Sequence, residues 1–221
     1  MVIPSRPHVC FRGLVLVYGL VLAAPTFAAQ PAPEPMPSKP APQGLAGPGV
    51  ANAPLPGTAA ERIKLLANLY AYLATAEDEK QAQPIAQAIE RLWLFAGSDT
   101  IQLLMDRAAK AIAVKDLDLA VRLLDAVVDL APDYAEGWNR RAYAHYLNND
   151  IERMVGDLRR CLALEPNHFR ALEGLAQVMR ETGQKKAALK AYERLLEIHP
   201  TAPGVSDAVK ELSKDVDGQR T

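Results

Sequence analysis

Three prolines stand 34 residues apart, and that spacing constrains the fold more than any other feature of this chain. Pro132, Pro166 and Pro200 each close a run that reads as an amphipathic helix, ending in DLAP, ALEP and EIHP. Proline lacks a backbone N–H and cannot continue a helix, so each marks a joint. The next residue is Asp133, Asn167 or Thr201, and one period earlier stands Asp99. All four side chains can accept a hydrogen bond at a helix N-cap, where the first amides have no partner within the helix. Asp99 with Gln102 and Asp133 with Glu136 have the spacing of capping boxes.

The interior of each period agrees. In units 101–134, 135–168 and 169–202 the eighth place holds Ala108, Ala142 and Ala176. The twentieth holds Ala120, Met154 and Ala188, the twenty-fourth Leu124, Leu158 and Tyr192, and the twenty-seventh Val127, Cys161 and Leu195. Small residues at fixed places let two helices approach while larger ones fill the space around them. Between the helices Lys115, Asn149 and Gly183 occupy the turn, where a left-handed backbone suits Gly and Asn and is costlier for Lys. Asp116 and Asp150 then offer caps for the second helix of their units.

These units predict an all-α fold, a solenoid of stacked helix–turn–helix repeats. One helical pair cannot bury enough apolar surface to offset its own ordering, so units must stack and the ends must be covered. The flanks supply candidates. Residues 58–97 read as an N-terminal hairpin, a cap or a degenerate repeat, with Ile63, Leu66, Tyr70 and Leu73 on one stripe. Ile85, Ile89, Leu92 and Phe95 form the other stripe, and Pro84 is placed in the first turn of the second helix. Residues 203–221 read as a C-terminal capping helix, with Val205, Ala208, Val209 and Leu212 inward.

The pattern resembles the tetratricopeptide repeat, a 34-residue unit with the signature W-x2-L-G-x2-Y…A-x3-F…A…P. The resemblance covers residues 101–202, giving repeats at 98–134, 135–168 and 169–202. The middle unit matches at Trp138, Ala142, Asp150 and Pro166, and departs at Arg141, where leucine is usual, and at Met154, where alanine is usual. Its NRRA stretch is similar to the N-R-G/A variant of the first helix. The first unit is the most degenerate.

The N-terminal part is different in kind. Residues 13–24 are an apolar run without charge, preceded by Arg6 and Arg12 and followed by small residues around Ala28. That reads as an export signal over 1–28, with an uncleaved membrane anchor as the alternative. The run is short for a spanning helix, which needs about 20 apolar residues. Residues 29–57 hold nine prolines and few large apolar residues. They read as a disordered tether of at most roughly 90 Å in extended form. The chain is thus expected to be exported, to the periplasm or outside the cell.

Composition narrows the function. The formal charge is −1, so no nucleic acid is expected as partner. The two cysteines, Cys10 and Cys161, lie far apart and build neither a disulfide framework nor a zinc site. No motif for hydrolysis, phosphate binding, metal ligation or cofactor binding occurs, so neither metal nor cofactor is expected. His145 falls where the repeat packs an aromatic and is read as a packed residue. His168 and His199 fall at helix junctions, with solvated or helix-end roles, and Cys161 as a buried thiol.

What the resemblance implies is a concave groove, lined by the first helices, that holds an extended peptide or a partner's helix. Groove places are the second, fifth, ninth and twelfth of each unit. Carried over, they are Gln102, Met105, Ala109 and Ile112, then Glu136, Asn139, Tyr143 and Tyr146, then Arg170, Glu173, Gln177 and Arg180. Tyr143 and Tyr146 suit an anchor, because tyrosine brings contact area at low entropic cost. Asn139 has the donor and acceptor to hold a partner's backbone. The Lys/Asn pair with which some relatives grip a terminal carboxylate is absent, since Met105 and Ala109 stand where it would begin. The expectation is a non-enzymatic scaffold or adaptor of the bacterial cell envelope that binds another protein. Two alternatives stand beside it. One is an enzyme or glycan binder using Glu136 and Glu173, and the other a homo-oligomer joined through Met105 and Ile112.

Overall fold

The computed structural model describes Leu55 and residues 57–218. The expected signal, and all of the tether but its last residues, lie outside them. Nine helices and no strand occur among the described residues. They are α1 (Ala59–Ala74), α2 (Glu79–Leu94), α3 (Asp99–Ala113), α4 (Leu117–Leu130), α5 (Ala135–Leu147), α6 (Ile151–Leu164), α7 (Phe169–Glu181), α8 (Lys185–Ile198) and α9 (Val205–Gly218). Each helix from α3 to α9 packs on the next, which is an all-α solenoid of helical hairpins.

The 34-residue period is written into the backbone. Lys115, Asn149 and Gly183 all adopt left-handed φ, at 60°, 58° and 76°. The amide after each turns back to the first helix: Asp116 to Ala111, Asp150 to His145 and Gln184 to Met179, at 2.9, 2.9 and 2.8 Å. Asp116 and Asp150 then cap the second helices, accepting from the amides of Leu119 and Arg153. Between repeats, Tyr134, His168 and Ala202 donate to the carbonyls of Ala131, Glu165 and His199. Pro132, Pro166 and Pro200 are the second residue of these three equivalent four-residue turns, the place where a fixed φ is most useful. The small eighth-place residues Ala108, Ala142 and Ala176 are buried, as are Leu124, Leu158, Val127, Cys161 and Leu195.

The caps after the prolines differ from the expected ones. The four-residue turn carries the chain past the expected residue, so the cap positions of α5 and α7 fall on Tyr134 and His168 rather than Asp133 and Asn167. Asp99 is already inside α3, behind Ser98, and α9 begins four residues after Thr201. Neither expected capping box forms. Gln102 donates to Asp106 and Glu136 turns to Arg140 and His168. A capping box occurs instead at Thr58, which accepts from the Glu61 amide while the Glu61 carboxylate accepts from the Thr58 amide.

The N-terminal hairpin departs further. α2 starts at Glu79 behind an Asp78 cap, so Pro84 is the sixth residue of the helix and not in its first turn. The buried stripe of α1 is Leu69 and Leu73, with Leu66 and Tyr70 beside it; Ile63 is 70% exposed. Trp93 of α2 is buried, and Phe95, which caps that helix, is not. An end cap would lay these stripes on α3. They lie instead on the later repeats, α1 against α8 and α2 against α5. Trp93 stacks on His168 with ring centroids 3.8 Å apart, its Nε1 donates to the Tyr70 hydroxyl, and the Phe169 ring lies tilted against it at 4.6 Å. At the C-terminal end Val205, Leu212 and Val216 bury α9 against α8.

Candidate partner-binding groove

A groove of about 410 Å³ opens between α5 and α7, and α2 forms one wall of it. Its floor is apolar: Ala142, Met154, Leu158 and the backbone of Gly174, where an added Cβ would rest 3.6 Å from Leu158. Tyr143 and Tyr146 stand one helical turn apart on α5, and Tyr143 is 49% exposed. Gln177 and Glu173 face them from α7, and Arg170 leads to the α2 wall of Glu90, Trp93 and Leu94.

The corner where the three walls meet is a buried polar network. The Glu136 carboxylate accepts from Arg140 Nε at 2.5 Å, Asn139 Nδ2 at 2.9 Å and His168 Nε2 at 3.0 Å. His168 caps α7 by accepting the Ala171 amide at Nδ1, and this assigns its proton to Nε2. Burial pushes the Glu136 carboxyl upward, yet His168 and Arg140 together hold it below the ordinary carboxylate range. Arg170 bridges Glu90 at 2.7 Å and Glu173 at 3.2 Å. The groove therefore carries three carboxylates and two guanidiniums, each guanidinium already engaged. Of the two acids nominated for catalysis, Glu136 is held below its ordinary range by His168 and Arg140, and Glu173 pairs with Arg170.

Of the residues carried over to the groove, Glu136, Asn139, Tyr143, Tyr146, Arg170, Glu173 and Gln177 line it. Gln102, Met105, Ala109, Ile112 and Arg180 do not. Met105 is buried and Ile112 half-buried in a core shared with α4 and Ala144 of α5. Arg180 is exposed beyond the groove's end. Asn139, expected to hold a partner's backbone, spends its amide on Glu136. The α2 wall and Arg140 went unread, since nothing in the sequence ties Glu90 to a residue 80 positions later.

His145, Cys161 and His168 do not line the groove. His145 and Cys161 are buried, and burial pushes the Cys161 thiol up, away from the reactive thiolate. His168 is fully buried, which corrects the solvated reading and keeps the helix-end one. Arg141 makes a bidentate pair with Asp157 and reaches Asp125 of the preceding repeat, the reason a leucine place tolerates a cation. Among the described residues no helix is long and apolar enough to cross a membrane.

Comparison with known proteins bears on the family and the fold. A family model described as tetratricopeptide repeat matches residues 155–203. A TPR repeat-containing protein of Rhizobium etli is 35% identical over 185 residues, covering 78% of this chain and 91% of the relative. The small glutamine-rich tetratricopeptide repeat-containing protein 2 of Saccharomyces cerevisiae is 29% identical over 89 residues, 40% of this chain and 26% of the relative. The solved first TPR of Spaghetti (RPAP3), bound to the HSP90 peptide SRMEEVD, superposes with a TM-score of 0.51 at 19% identity, over 54% of this chain and 95% of that one. The Sgt2 TPR domain from Aspergillus fumigatus gives 0.51 at 18%, over 56% and 84%. These two structures bear on the fold alone. The Rhizobium etli relative, matched across nine-tenths of its own length, carries the assignment, and the chain belongs to the tetratricopeptide repeat family.

Proposed function

We propose that this protein is an exported, non-enzymatic interaction module of the bacterial cell envelope, which docks a segment of another protein in the groove between α5 and α7. The observation that carries the reading is the groove itself. Seven residues expected from their places in the repeats converge on one cleft of about 410 Å³ with an apolar floor and an exposed tyrosine at its rim. Apolar floors with a few placed polar groups are the usual form of a recognition site. The export half of the reading rests on the charge-free run at 13–24 and the basic residues before it.

The chemistry of the lining favours one kind of segment. A related TPR domain was solved with the peptide SRMEEVD, whose last residues are acidic. Here Arg140 and Arg170 are already neutralised by Glu136, Glu90 and Glu173, and Met105 and Ala109 replace the start of a carboxylate clamp. An acidic tail would have to compete with those carboxylates. A segment with an apolar or aromatic anchor, seated over Met154 and Leu158 between the two tyrosines, meets no such competition.

The test is photo-crosslinking in an envelope fraction of the native host. A photoreactive residue at Gln177 should trap a partner that the same residue at Arg159, an exposed place away from the groove, does not. Tyr143→Ala/Tyr146→Ala should abolish that product. Identical products from both positions, unaffected by the tyrosine changes, would remove the groove from consideration. A reporter fused to residues 1–28 and assayed outside the cytoplasm tests export separately.

A further inference from the structure

The first helix of repeats 2 and 3 turns its third, seventh and tenth places toward the hairpin before it. On α5 a Cβ added to Gly137 would stand 2.8 Å from Val127 of α4, Arg141 bridges Asp125 of α4 at 2.9 Å, and Ala144 is buried among α3 and α4. On α7 the third and tenth places, Ala171 and Val178, are buried likewise. Shifted back by one period these places are Leu103, Arg107 and Lys110 on α3. There Leu103 is 51% exposed, Arg107 and Lys110 are exposed, and Val114 one turn further is 76% exposed. The N-terminal hairpin, seated on the later repeats, leaves this end of the solenoid open among the described residues.

Another repeat of the same kind does not suit the open end. Leucine and lysine stand where α5 and α7 use glycine or alanine and alanine or valine to admit the preceding hairpin closely. The charge pattern suits a copy of itself. Asp99 and Asp106 lie in the first half of the exposed stripe, Arg107 and Lys110 in the second, and neither cation forms an ion pair among the described residues. We infer that this face of α3 meets the same face of a second copy of the chain across a two-fold axis. With the helices antiparallel, each acidic half lies on the other's basic half, and Leu103 lies against the aliphatic stem of Lys110. Self-complementarity of this form is what an isologous contact requires. The surface is distinct from the α5–α7 groove and leaves it accessible.

Sedimentation velocity on the full chain over a concentration series tests the inference. The wild type should dimerise, less strongly as salt is raised. Arg107→Glu/Lys110→Glu and Asp99→Lys/Asp106→Lys should each weaken the dimer by about tenfold or more, as several ion pairs turn repulsive together. An equimolar mixture of the two variants, each checked for helicity by circular dichroism, should regain a dimer that neither forms alone. A wild type that stays monomeric, a dimer indifferent to both charge sets, or a mixture that fails to pair would overturn it. Association through any other segment gives the second of these results.

Discussion

Two glycines inside helices make opposite demands. At Gly137 an added methyl would press on Val127, a buried and branched side chain, and on the ring of Tyr134 at 3.2 Å. At Gly156 nothing lies within 4 Å. Gly137→Ala should therefore lose about 1–2 kcal/mol through overpacking, while Gly156→Ala should gain about 0.5–1 kcal/mol from helix propensity. Urea unfolding of both variants measures the two signs at once. Arg141 offers a sharper case. Its guanidinium lies between Asp157, 7% exposed, and Asp125, each 16 positions away. Arg141→Leu alone should cost about 3 kcal/mol, because it strands the Asp157 carboxylate in a buried place. Arg141→Leu/Asp157→Leu should recover most of that loss, and a double-mutant cycle in urea gives the coupling directly. At this scale the sequence showed that Arg141 departs from the family pattern. It held no sign of the partners, since pairing across 16 residues exists only once three helices are packed.

α1 and α2 show where reading elements from periodicity stops. In the repeats each inward place was marked three times over, so Ala108, Ala142 and Ala176 identified one another and one degenerate unit did not blur the frame. The N-terminal hairpin has no such copies. Ile63, Leu66, Tyr70 and Leu73 fit a helical stripe as well as Leu66, Leu69, Tyr70 and Leu73 do, and only the docking surface selects between them. That surface is on α8, α5 and the start of α7, far along the chain, which is why the α2 wall of the groove was illegible. Trp93 holds it, stacked on His168, tilted on Phe169 and bonded to Tyr70. Trp93→Ala should cost about 3–5 kcal/mol of packing at this joint. The loss should be local. Hydrogen exchange in α1 and α2 should accelerate well beyond that in α3 and α4, because the hairpin's seat and the α3–α4 core are separate clusters. Equal acceleration throughout would mean that the hairpin and the repeats open as one unit.

Acid response is a property of the whole molecule, because its titrating groups sit at the seams between hairpins. Burial depresses the His199 imidazole below its ordinary value of 6.5, with Arg170 adding to the effect and Glu173 and Glu90 opposing it. Burial also depresses His145, against the pull of Asp157. The unfolded chain takes up these protons near pH 6.5 and the folded chain resists them, so between the two values the unfolded state binds more protons. Stability from this source is complete above about pH 6.5 and declines as pH falls below it. Glu136 acts lower. Its folded value is depressed from 4.5 by His168 and Arg140 working against burial, so its contribution is present above 4.5 and is lost as pH falls through the folded value. Urea unfolding measured from pH 7.5 to 3.5 should thus show two successive losses of stability. His199→Leu should shrink the upper one and, by removing a buried Nε2 that has no hydrogen-bond partner, raise stability at pH 7.5 by about 1 kcal/mol. Glu136→Gln should shrink the lower loss while weakening the protein at neutral pH. A flat profile between pH 5.5 and 7.5 would show that both imidazoles exchange protons without unfolding, and that the seams between hairpins are open to water.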